Sequence, residues 1–369
     1  MATNDLARFV RNCLHDLKPY EPGKPIEEVK RELGLTHVIK LASNENPIGA
    51  SEASKDAVSK ALENSHIYPD GNCFELKKAL ADHMQVSTDQ LIIGNGSDEI
   101  IKMLAETFFN QGDEVIAPTP SFSEYWFAAT VMNAKVTGIP LKNNFNYDVE
   151  AMIRAVTPKT KMIFLCNPNN PTGTYLTKDE LEQILNSIPK DIVVVIDEAY
   201  CEYATASDYP NGIDYIDNYR VVVLRTFSKI YGLAAFRVGY GVANANIINY
   251  IGRVREPFNV NSFAQVAAVA ALTDEAHVEN SRQIVEQGKQ LLFTEFEQMG
   301  LSYIPTQANF VFVDTKKNAR EIFKMLLKRG VIVRTGDIFG QPTYIRVTFG
   351  TQEENEFFIK ELKEVLLEL

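Results

Sequence analysis

The 369-residue chain lacks the hydrophobic segments that membrane and secreted proteins carry. No apolar run is long enough to cross a bilayer. The N-terminus, MATNDLARFVRNCLHDLKPY, has no continuous apolar core of the kind found in a signal peptide. Its apolar residues instead recur at helical spacing and predict an amphipathic helix: Leu6, Phe9, Val10, Cys13, Leu14 and Leu17. We therefore expect a cytoplasmic protein.

Excess positive charge, paired cysteines and clustered histidines are also missing. The chain has 37 Lys and Arg against 48 Asp and Glu, a formal net charge of −11, which disfavours binding to nucleic-acid phosphates. Its four cysteines are scattered without CxxC spacing, as expected for free thiols in a reducing compartment. The five histidines form no ligand pattern, so we predict no metal.

What the chain does contain is an alternation of short apolar runs with longer helical segments. The runs predicted as strands are residues 91–94, 114–118, 135–140, 161–166, 191–197 and 221–225. They are continuously apolar, which is typical of strands buried on both faces, and the helices between them predict a mostly parallel sheet in an α/β fold. Ligands of such sheets bind beyond the carboxyl ends of the strands. The residues that follow each strand are therefore the candidates for chemistry.

The pattern changes after about residue 260, which predicts a second domain. A long helical region, roughly residues 262–299, precedes several short strands and two further helices. A chain of this length is expected to form about two domains. We predict a large domain at residues 46–260 and a smaller α+β domain at 261–369, which residues 1–45 join.

The segment VVVLRTFSKIYGLAAFRVGY carries the most informative pattern. An apolar strand is followed by Thr226, Ser228 and Lys229, and Arg237 comes eight residues later. An amine can form a Schiff base with an aldehyde, whereas hydroxyls and a guanidinium can hold an anion. The set suits a cofactor that carries both an aldehyde and a phosphate. A Ser-Lys pair alone is usually a solvated surface feature, so the other strand ends must decide.

Two strand ends offer polar groups in turns. After the first predicted strand, the turn at 95–99 (NGSDE) opens a helix, which favours either an anion site or a simple Ser/Asp cap. After the fourth, NPNNPTG begins with Asn167, whose amide can donate to a ligand oxygen. An ordinary turn would not need two prolines and a glycine, which favours a functional site.

Asp197 ends the fifth predicted strand and requires a cationic partner. A carboxylate after a buried apolar run is poorly solvated, so an unpaired charge there is costly. A structural salt bridge and a protonated pyridine nitrogen both satisfy it, and Tyr200 could donate to an adjacent phenolate oxygen. An amine, a carboxylate, an amide, a phenol and an anion site together correspond to the groups of pyridoxal 5'-phosphate.

Seven motifs in order resemble those of the fold type I, class I/II-like aminotransferases. They are LASNENP, IYPDG, GNGSDE, NPNNPTG, IDEAY, TFSKIYGL and YIRVTFGT, and they cover nearly the whole chain. The resemblance implies a large domain with a mostly parallel sheet flanked by helices, a smaller α+β domain and pyridoxal 5'-phosphate as cofactor. One departure is Ala235, near which the family usually has a glycine.

The resemblance also implies roles for individual residues around the cofactor. Lys229 would carry the cofactor, Asp197 would pair with the pyridine nitrogen, and both would be catalytic together with Tyr200. Asn167 and Tyr200 would contact the ring hydroxyl. The residues implied around the phosphate are Gly96, Ser97, Asp98, Thr226, Ser228 and Arg237.

Two tyrosines and four further residues complete the expected site. Tyr125 matches the aromatic residue that stacks on the ring, with an ordinary core position as the alternative. Tyr68 matches a residue from the neighbouring subunit, which implies a homodimer with a shared active site. The residues expected at the substrate are Arg346, which matches the family's anion-binding arginine, and Arg334, Tyr20 and Asn46, for which a structural or surface role stays equally open.

Within the family, the motifs are most similar to those of members that use L-histidinol phosphate with glutamate and 2-oxoglutarate as the second substrate pair. An aromatic or broad-range aminotransferase is the first alternative, because Arg346 would also bind an α-carboxylate. A lyase or decarboxylase with the same cofactor is the second. A regulator with an added basic DNA-binding module is the third, and we expect the short segment before the first motif to exclude it.

Overall fold

The computed structural model describes residues 6, 8–15, 17 and 23–369. Within these residues, no helix combines the length and apolar character needed to cross a membrane. The helices are α1 (Ile26–Leu33), α2 (Glu52–Ala61), α3 (Phe74–Met84), α4 (Ser97–Phe108), α5 (Glu124–Val131), α6 (Val149–Arg154), α7 (Lys178–Ser187), α8 (Ala245–Ile251), α9 (Ser262–Leu272), α10 (Glu275–Gln298), α11 (Ala319–Lys328) and α12 (Gln352–Glu368). The strands are β1 (Ile39–Lys40), β2 (Leu91–Gly94), β3 (Glu114–Thr119), β4 (Lys135–Pro140), β5 (Thr160–Cys166), β6 (Val193–Asp197), β7 (Val221–Thr226), β8 (Gly239–Ala243), β9 (Ser302–Ile304), β10 (Phe310–Asp314), β11 (Val331–Ile332), β12 (Arg334–Thr335) and β13 (Tyr344–Thr348).

A seven-stranded sheet with helices on both faces forms the larger part of the fold. Its order is β2-β8-β7-β6-β5-β3-β4, and every neighbouring pair is parallel except those made by β8. All five residues of β6 are buried, as the continuous apolar run predicts. The predicted mostly parallel α/β sheet is confirmed.

A smaller antiparallel sheet lies in the C-terminal part, with the order β12-β13-β10-β9. The N-terminal segment joins this part, because β1 pairs in parallel with β11. The helical region predicted at 262–299 is two helices. The break falls at Thr273 and Asp274, where the Asp274 carboxylate accepts a hydrogen bond from the His277 backbone and caps α10.

The domain limits 45/46 and 260/261 stay predictions. α9 packs against α2 and α3, whereas α10 packs against α12 and β9. This packing favours a division close to residue 273. Of the predicted N-terminal helix, Leu6 is helical and Asn12–Leu14 form a 3₁₀ turn, whereas residues 1–5, 7, 16 and 18–20 lie outside the described residues.

Candidate active site

The polar residues that follow the central strands meet at one edge of the large sheet. In the strand register Cys166 of β5 lies beside Asp197 of β6, which lies beside Leu224 of β7. The loop after β7 then carries Lys229 back across this edge. The carboxyl ends of parallel strands are the usual ligand position in such sheets, so the arrangement defines a candidate active site.

Lys229 projects its amine between the sheet edge and the N-terminal segment. Its Nζ donates to the carbonyl oxygen of Ser43 at 3.2 Å and lies 5.6 Å from the centroid of the Tyr200 ring. Burial lowers the pKa of Lys229 to about 8, and the nearby positive charge of Arg346 acts in the same direction. About a tenth of this amine is therefore neutral and nucleophilic at pH 7, and about half at pH 8.

Asp197 is a buried carboxylate with a hydrogen-bond donor on each oxygen. Its side chain accepts from the Tyr125 hydroxyl at 2.7 Å through Oδ2, and from the Ala199 backbone at 3.2 Å through Oδ1. Burial raises the pKa of Asp197 to about 6, while these two donors lower it. A cation beside it would favour the ionised form, which is what a protonated ring nitrogen supplies.

Tyr125 has no exposed surface, and its ring does not face the site. The ring stacks on Phe164 with a centroid distance of 4.5 Å and an interplanar angle of 10°. Ring stacking on a cofactor does not fit this packing, so the prediction for Tyr125 is corrected. Phe122 lies in the loop just before α5, is half-buried and meets the Tyr125 ring edge-on at a centroid distance of 5.7 Å. It is the nearby aromatic side chain that could instead stack on the cofactor ring.

The NPNNPTG turn brings a different asparagine to the site than the sequence predicted. The Asn167 side chain accepts from the Leu176 backbone N–H at 2.8 Å and donates to the Leu176 carbonyl at 3.5 Å, so it ties the turn together. Asn170 instead accepts from the Arg346 guanidinium at 2.5 Å. The turn requires Gly173, since its φ is +76° and a Cβ there would lie 2.0 Å from Thr306 Oγ1.

Tyr200 is oriented by a residue that the sequence interpretation did not single out. Asn44 Nδ2 donates to the Tyr200 hydroxyl oxygen at 2.9 Å, which leaves the hydroxyl proton for another acceptor. Asn44 also bonds to the smaller sheet, through Thr348 Oγ1 at 3.0 Å and through Asn309 at 3.1 Å. Asn44 lies inside LASNENP, but nothing in that motif indicates which side chain turns inward.

The N-terminus of α4 and the loop after β7 form an anion cradle. Gly96 caps α4 with a φ of +79°, and a Cβ there would lie 2.6 Å from the Arg237 guanidinium. Arg237 also pairs with Asp98 at 2.7 Å. Thr226 Oγ1 bonds to Ser228 Oγ at 3.0 Å. Backbone N–H groups at a helix start, hydroxyls and a guanidinium suit a phosphate dianion.

The structure places Ser97 in this cradle as well. Ser97 is the first residue of α4 and is buried. Gly239 of β8 lies against it, since a Cβ on Gly239 would come within 2.6 Å of the Ser97 nitrogen. The two glycines, Gly96 and Gly239, thus keep side-chain atoms away from the helix start. The groups of the cradle fit the phosphate of pyridoxal phosphate.

Arg346 of β13 closes the site on the side of the smaller sheet. Its guanidinium donates to Asn170 and to the Ala42 carbonyl oxygen, each at 2.5 Å, and lies 5.3 Å from the Phe310 ring. Arg334 is its partner across the β12–β13 pair, so both side chains leave the same face of the sheet. This pair of arginines places two positive charges on one face of the smaller sheet.

Three predicted residues remain: Asn46, Tyr68 and Tyr20. Asn46 donates to the Ile230 carbonyl at 2.7 Å and to Ser281 Oγ at 2.9 Å, and its Oδ1 accepts from the Ile48 backbone, which is a structural role. Tyr68 is 80% exposed and stacks on Phe258 at 5.0 Å, away from the site of its own chain. Tyr20 lies outside the described residues.

Residues 36–362 match the family described as aminotransferase class I and II, and the chain belongs to this family. Histidinol-phosphate aminotransferase of Moorella thermoacetica is 56% identical over 96% of this chain and 92% of that protein. The protein of the same name from Caldicellulosiruptor saccharolyticus is 50% identical over 96% of this chain and 99% of its own.

A solved structure agrees with the fold. The histidinol-phosphate aminotransferase from Sinorhizobium meliloti in complex with pyridoxal-5'-phosphate superimposes with a TM-score of 0.90, at 25% identity, over 97% of this chain and 98% of that one. The fold type I aminotransferase architecture predicted from the motifs is confirmed.

Proposed function

We propose that this chain is a pyridoxal-phosphate-dependent aminotransferase that converts L-histidinol phosphate and 2-oxoglutarate into imidazole acetol phosphate and glutamate, a step of histidine biosynthesis. The observation that carries the activity is the meeting of a lysine amine, a buried carboxylate and an anion cradle at one sheet edge. The substrate is supported by near-full-length similarity to proteins named for it.

The residues have separable tasks in this reaction. When bound, pyridoxal phosphate supplies an aldehyde for the substrate amine and a protonated ring that takes up the electron pair left when the Cα proton departs. Lys229, with its pKa lowered to about 8, accepts that proton as a general base and returns it as an acid. Asp197 holds a proton on the ring nitrogen, because its buried charge needs a cationic partner.

The geometry favours two changes to the cofactor contacts expected from the sequence. Asn170, which is hydrogen-bonded to Arg346, contacts the ring hydroxyl together with Tyr200. Asn167 instead stabilises the turn through its hydrogen bond with the Leu176 backbone. Phe122 takes the stacking position, since Tyr125 is enclosed. Ser97, Ser228 and Arg237 bind the cofactor phosphate with the α4 N-terminus.

Arg346 serves both halves of the reaction in this proposal. Its planar guanidinium can hold a carboxylate of glutamate in one half and the phosphate ester of histidinol phosphate in the other. Arg334, its partner across the strand pair, adds a second positive charge for the doubly charged ester. A phosphate ester is therefore favoured over an uncharged aromatic side chain.

We also propose that two copies of the chain form a dimer with shared active sites. Large apolar side chains close to Tyr68 in the sequence are exposed, Leu62, Ile67 and Phe74, as is Phe258, on which Tyr68 stacks. Such a patch is unusual on a monomer and typical of an interface. Tyr68 would then reach the cofactor phosphate of the partner subunit.

One substrate panel tests the function. The purified protein with pyridoxal phosphate is assayed with histidinol phosphate, phenylalanine and tyrosine, each against 2-oxoglutarate. We expect kcat/KM for histidinol phosphate to exceed that for phenylalanine by about 100-fold or more, because the carboxylate of phenylalanine can pair with Arg346 but phenylalanine has no phosphate for Arg334. A preference for phenylalanine would support the aromatic aminotransferase instead, and release of carbon dioxide without use of 2-oxoglutarate would support a decarboxylase.

A further inference from the structure

The Tyr125 hydroxyl is the one side-chain group that bonds directly to the carboxylate of Asp197 within the described residues. The distance of 2.7 Å is that of a strong hydrogen bond to a charged acceptor. Tyr125 is the second residue of α5. Aromatic neighbours fix its ring: Phe164 stacks on it in parallel, Phe122 meets it edge-on, and Trp126 lies at a centroid distance of 6.5 Å. The direction of the hydroxyl is thereby set by packing.

We propose that Tyr125 is a positioning residue that acts through Asp197: its hydroxyl keeps this carboxylate ionised and oriented toward the ring nitrogen of the cofactor. The catalytic part of this role rests on the proposed function, whereas the effect of the Tyr125 hydroxyl on the Asp197 carboxylate does not. With Oδ2 held by Tyr125 and Oδ1 held by the Ala199 backbone, the carboxylate plane cannot rotate without losing a donor.

The hydroxyl can do this at every working pH because it does not itself ionise. Burial and the adjacent Asp197 charge raise the pKa of Tyr125 well above its ordinary value. Burial raises the pKa of Asp197, and the hydrogen bond from Tyr125 is the largest influence in the opposite direction. A neutral carboxylic acid could not hold a proton on the ring nitrogen, so loss of the hydroxyl should weaken the charge that the reaction needs.

Several other ionisable groups lie around Asp197. Burial raises the pKa of Cys166 on β5 to about 12, and it raises that of Tyr200 as well. Glu198, which follows β6, and Asp98 on α4 add negative charge, and each is paired with an arginine: Arg225 and Arg237. Lys229 titrates higher, near pH 8. The part of the pH-dependent change between about 4 and 7 that is absent in Asp197→Asn therefore reports on Asp197.

Tyr147 provides a matched control. It is also a buried tyrosine with a single hydroxyl hydrogen bond, which it donates to the Cys166 backbone carbonyl at 2.5 Å. Tyr125→Phe and Tyr147→Phe each remove one oxygen and keep the ring. A general loss of packing or of a buried hydrogen bond would affect both variants, whereas an effect on the Asp197 carboxylate belongs to Tyr125 alone.

The test first uses the cofactor-free protein, so that it does not depend on the proposed activity. The free energy of unfolding is measured from pH 4 to pH 8 for the wild type, both variants and Asp197→Asn. We expect the midpoint of the Asp197 transition to move upward in Tyr125→Phe, to stay in place in Tyr147→Phe, and to vanish in Asp197→Asn. An unchanged midpoint in Tyr125→Phe, or an equal shift in both phenylalanine variants, would overturn the proposal.

The loaded enzyme gives the second measurement. Tyr125→Phe should lower kcat about 10- to 100-fold, the range expected for losing a hydrogen bond to a charged group, with little change in KM. If Tyr125→Phe does not fold, 3,5-difluorotyrosine at position 125 is used, because a more acidic hydroxyl is a stronger donor and should move the midpoint downward. An upward or absent shift with this residue also contradicts the proposal. The unfolding measurements on the cofactor-free protein do not depend on the substrate. If the substrate panel fails while the Asp197 midpoint still shifts in Tyr125→Phe, only the proposed function is refuted.

Discussion

The Lys229 amine donates to the carbonyl oxygen of Ser43, 3.2 Å away, and so joins the loop after β7 to the N-terminal segment. Burial lowers the pKa of Lys229 to about 8. Because only the neutral amine attacks an aldehyde, we expect covalent capture of pyridoxal phosphate by the cofactor-free protein to accelerate as the pH rises through about 8. The absorbance of the bound cofactor measures the rate.

Two variants and a control sharpen this prediction. Lys229→Ala should capture no cofactor and have no transaminase activity. Arg346→Gln removes a positive charge near Lys229 and should therefore move the pH midpoint of cofactor capture upward. Lys289→Ala is the control, because Lys289 is another buried lysine with a lowered pKa but pairs with Glu286 on α10. Capture in Lys229→Ala would remove that residue from the proposed role.

Replacement of Asp197 by asparagine should stabilise the cofactor-free protein while it destroys activity. Burial raises the pKa of Asp197 from 3.8 to about 6, so the folded state favours the neutral acid. Ionisation then costs stability as the pH rises from about 4 through 6. At pH 8, Asp197→Asn should gain up to about 3 kcal/mol in the free energy of unfolding, a gain that disappears below about pH 4.

Asp191→Asn is the control for that measurement, since Asp191 is exposed. Denaturant unfolding at several pH values gives the comparison. Transaminase activity of Asp197→Asn should fall by about 1,000-fold, because an amide cannot hold the ring proton by charge. Equal stability of Asp197→Asn and the wild type at pH 8 would contradict the raised pKa.

Alanine at the two asparagines should separate binding from folding. Asn170→Ala removes the acceptor for Arg346, so KM for histidinol phosphate should rise while stability changes little. Asn167→Ala leaves the buried Leu176 N–H and carbonyl without their partner, which should cost about 1–3 kcal/mol of unfolding free energy. Steady-state kinetics and denaturant unfolding measure both effects. The reverse pattern would restore Asn167 to the ring-hydroxyl contact.

Mixed dimers test whether Tyr68 completes a neighbouring site. Lys229→Ala and Tyr68→Ala homodimers should both have low activity. When the two proteins are mixed and exchange subunits, the chain with intact Lys229 receives an intact Tyr68 from its partner, so activity should return. Tyr250→Ala is the control, because Tyr250 is another exposed aromatic residue. The Tyr250→Ala protein should be active without being mixed with a second variant. Mixed dimers that form without regaining activity would contradict the shared site.

The sequence predicts the strands of the large sheet well, because their apolar runs are continuous. It does not predict β8, whose five residues include Gly239 and Gly241, and glycine is depleted in strands. There the glycines are needed for close packing, since a Cβ on Gly239 would meet the Ser97 nitrogen. A requirement set by a neighbour distant in sequence leaves no local signal.

Within the site, the positions at strand ends are predictable but the side-chain directions are not. Asp197 ends a buried strand, so its place and its need for a cation follow from the sequence. NPNNPTG offers three asparagines in one turn, and only the path of the backbone decides that Asn170 meets Arg346. The same holds for Tyr125, whose motif position predicts stacking on the cofactor ring. The sequence does not tell which side of α5 faces the sheet, and the Tyr125 ring packs on Phe164.

The pairing of β1 with β11 constrains how the protein is made. Ile39 is synthesised well before its partner Val331, which lies nearly 300 residues further along the chain. At about 5–20 residues per second, the first strand waits for tens of seconds on the ribosome before its partner exists. All strands of the large sheet are therefore synthesised before β11 can anchor the segment that holds Ser43 and Asn44, and the pocket around Lys229 can be completed only after β11 has been made.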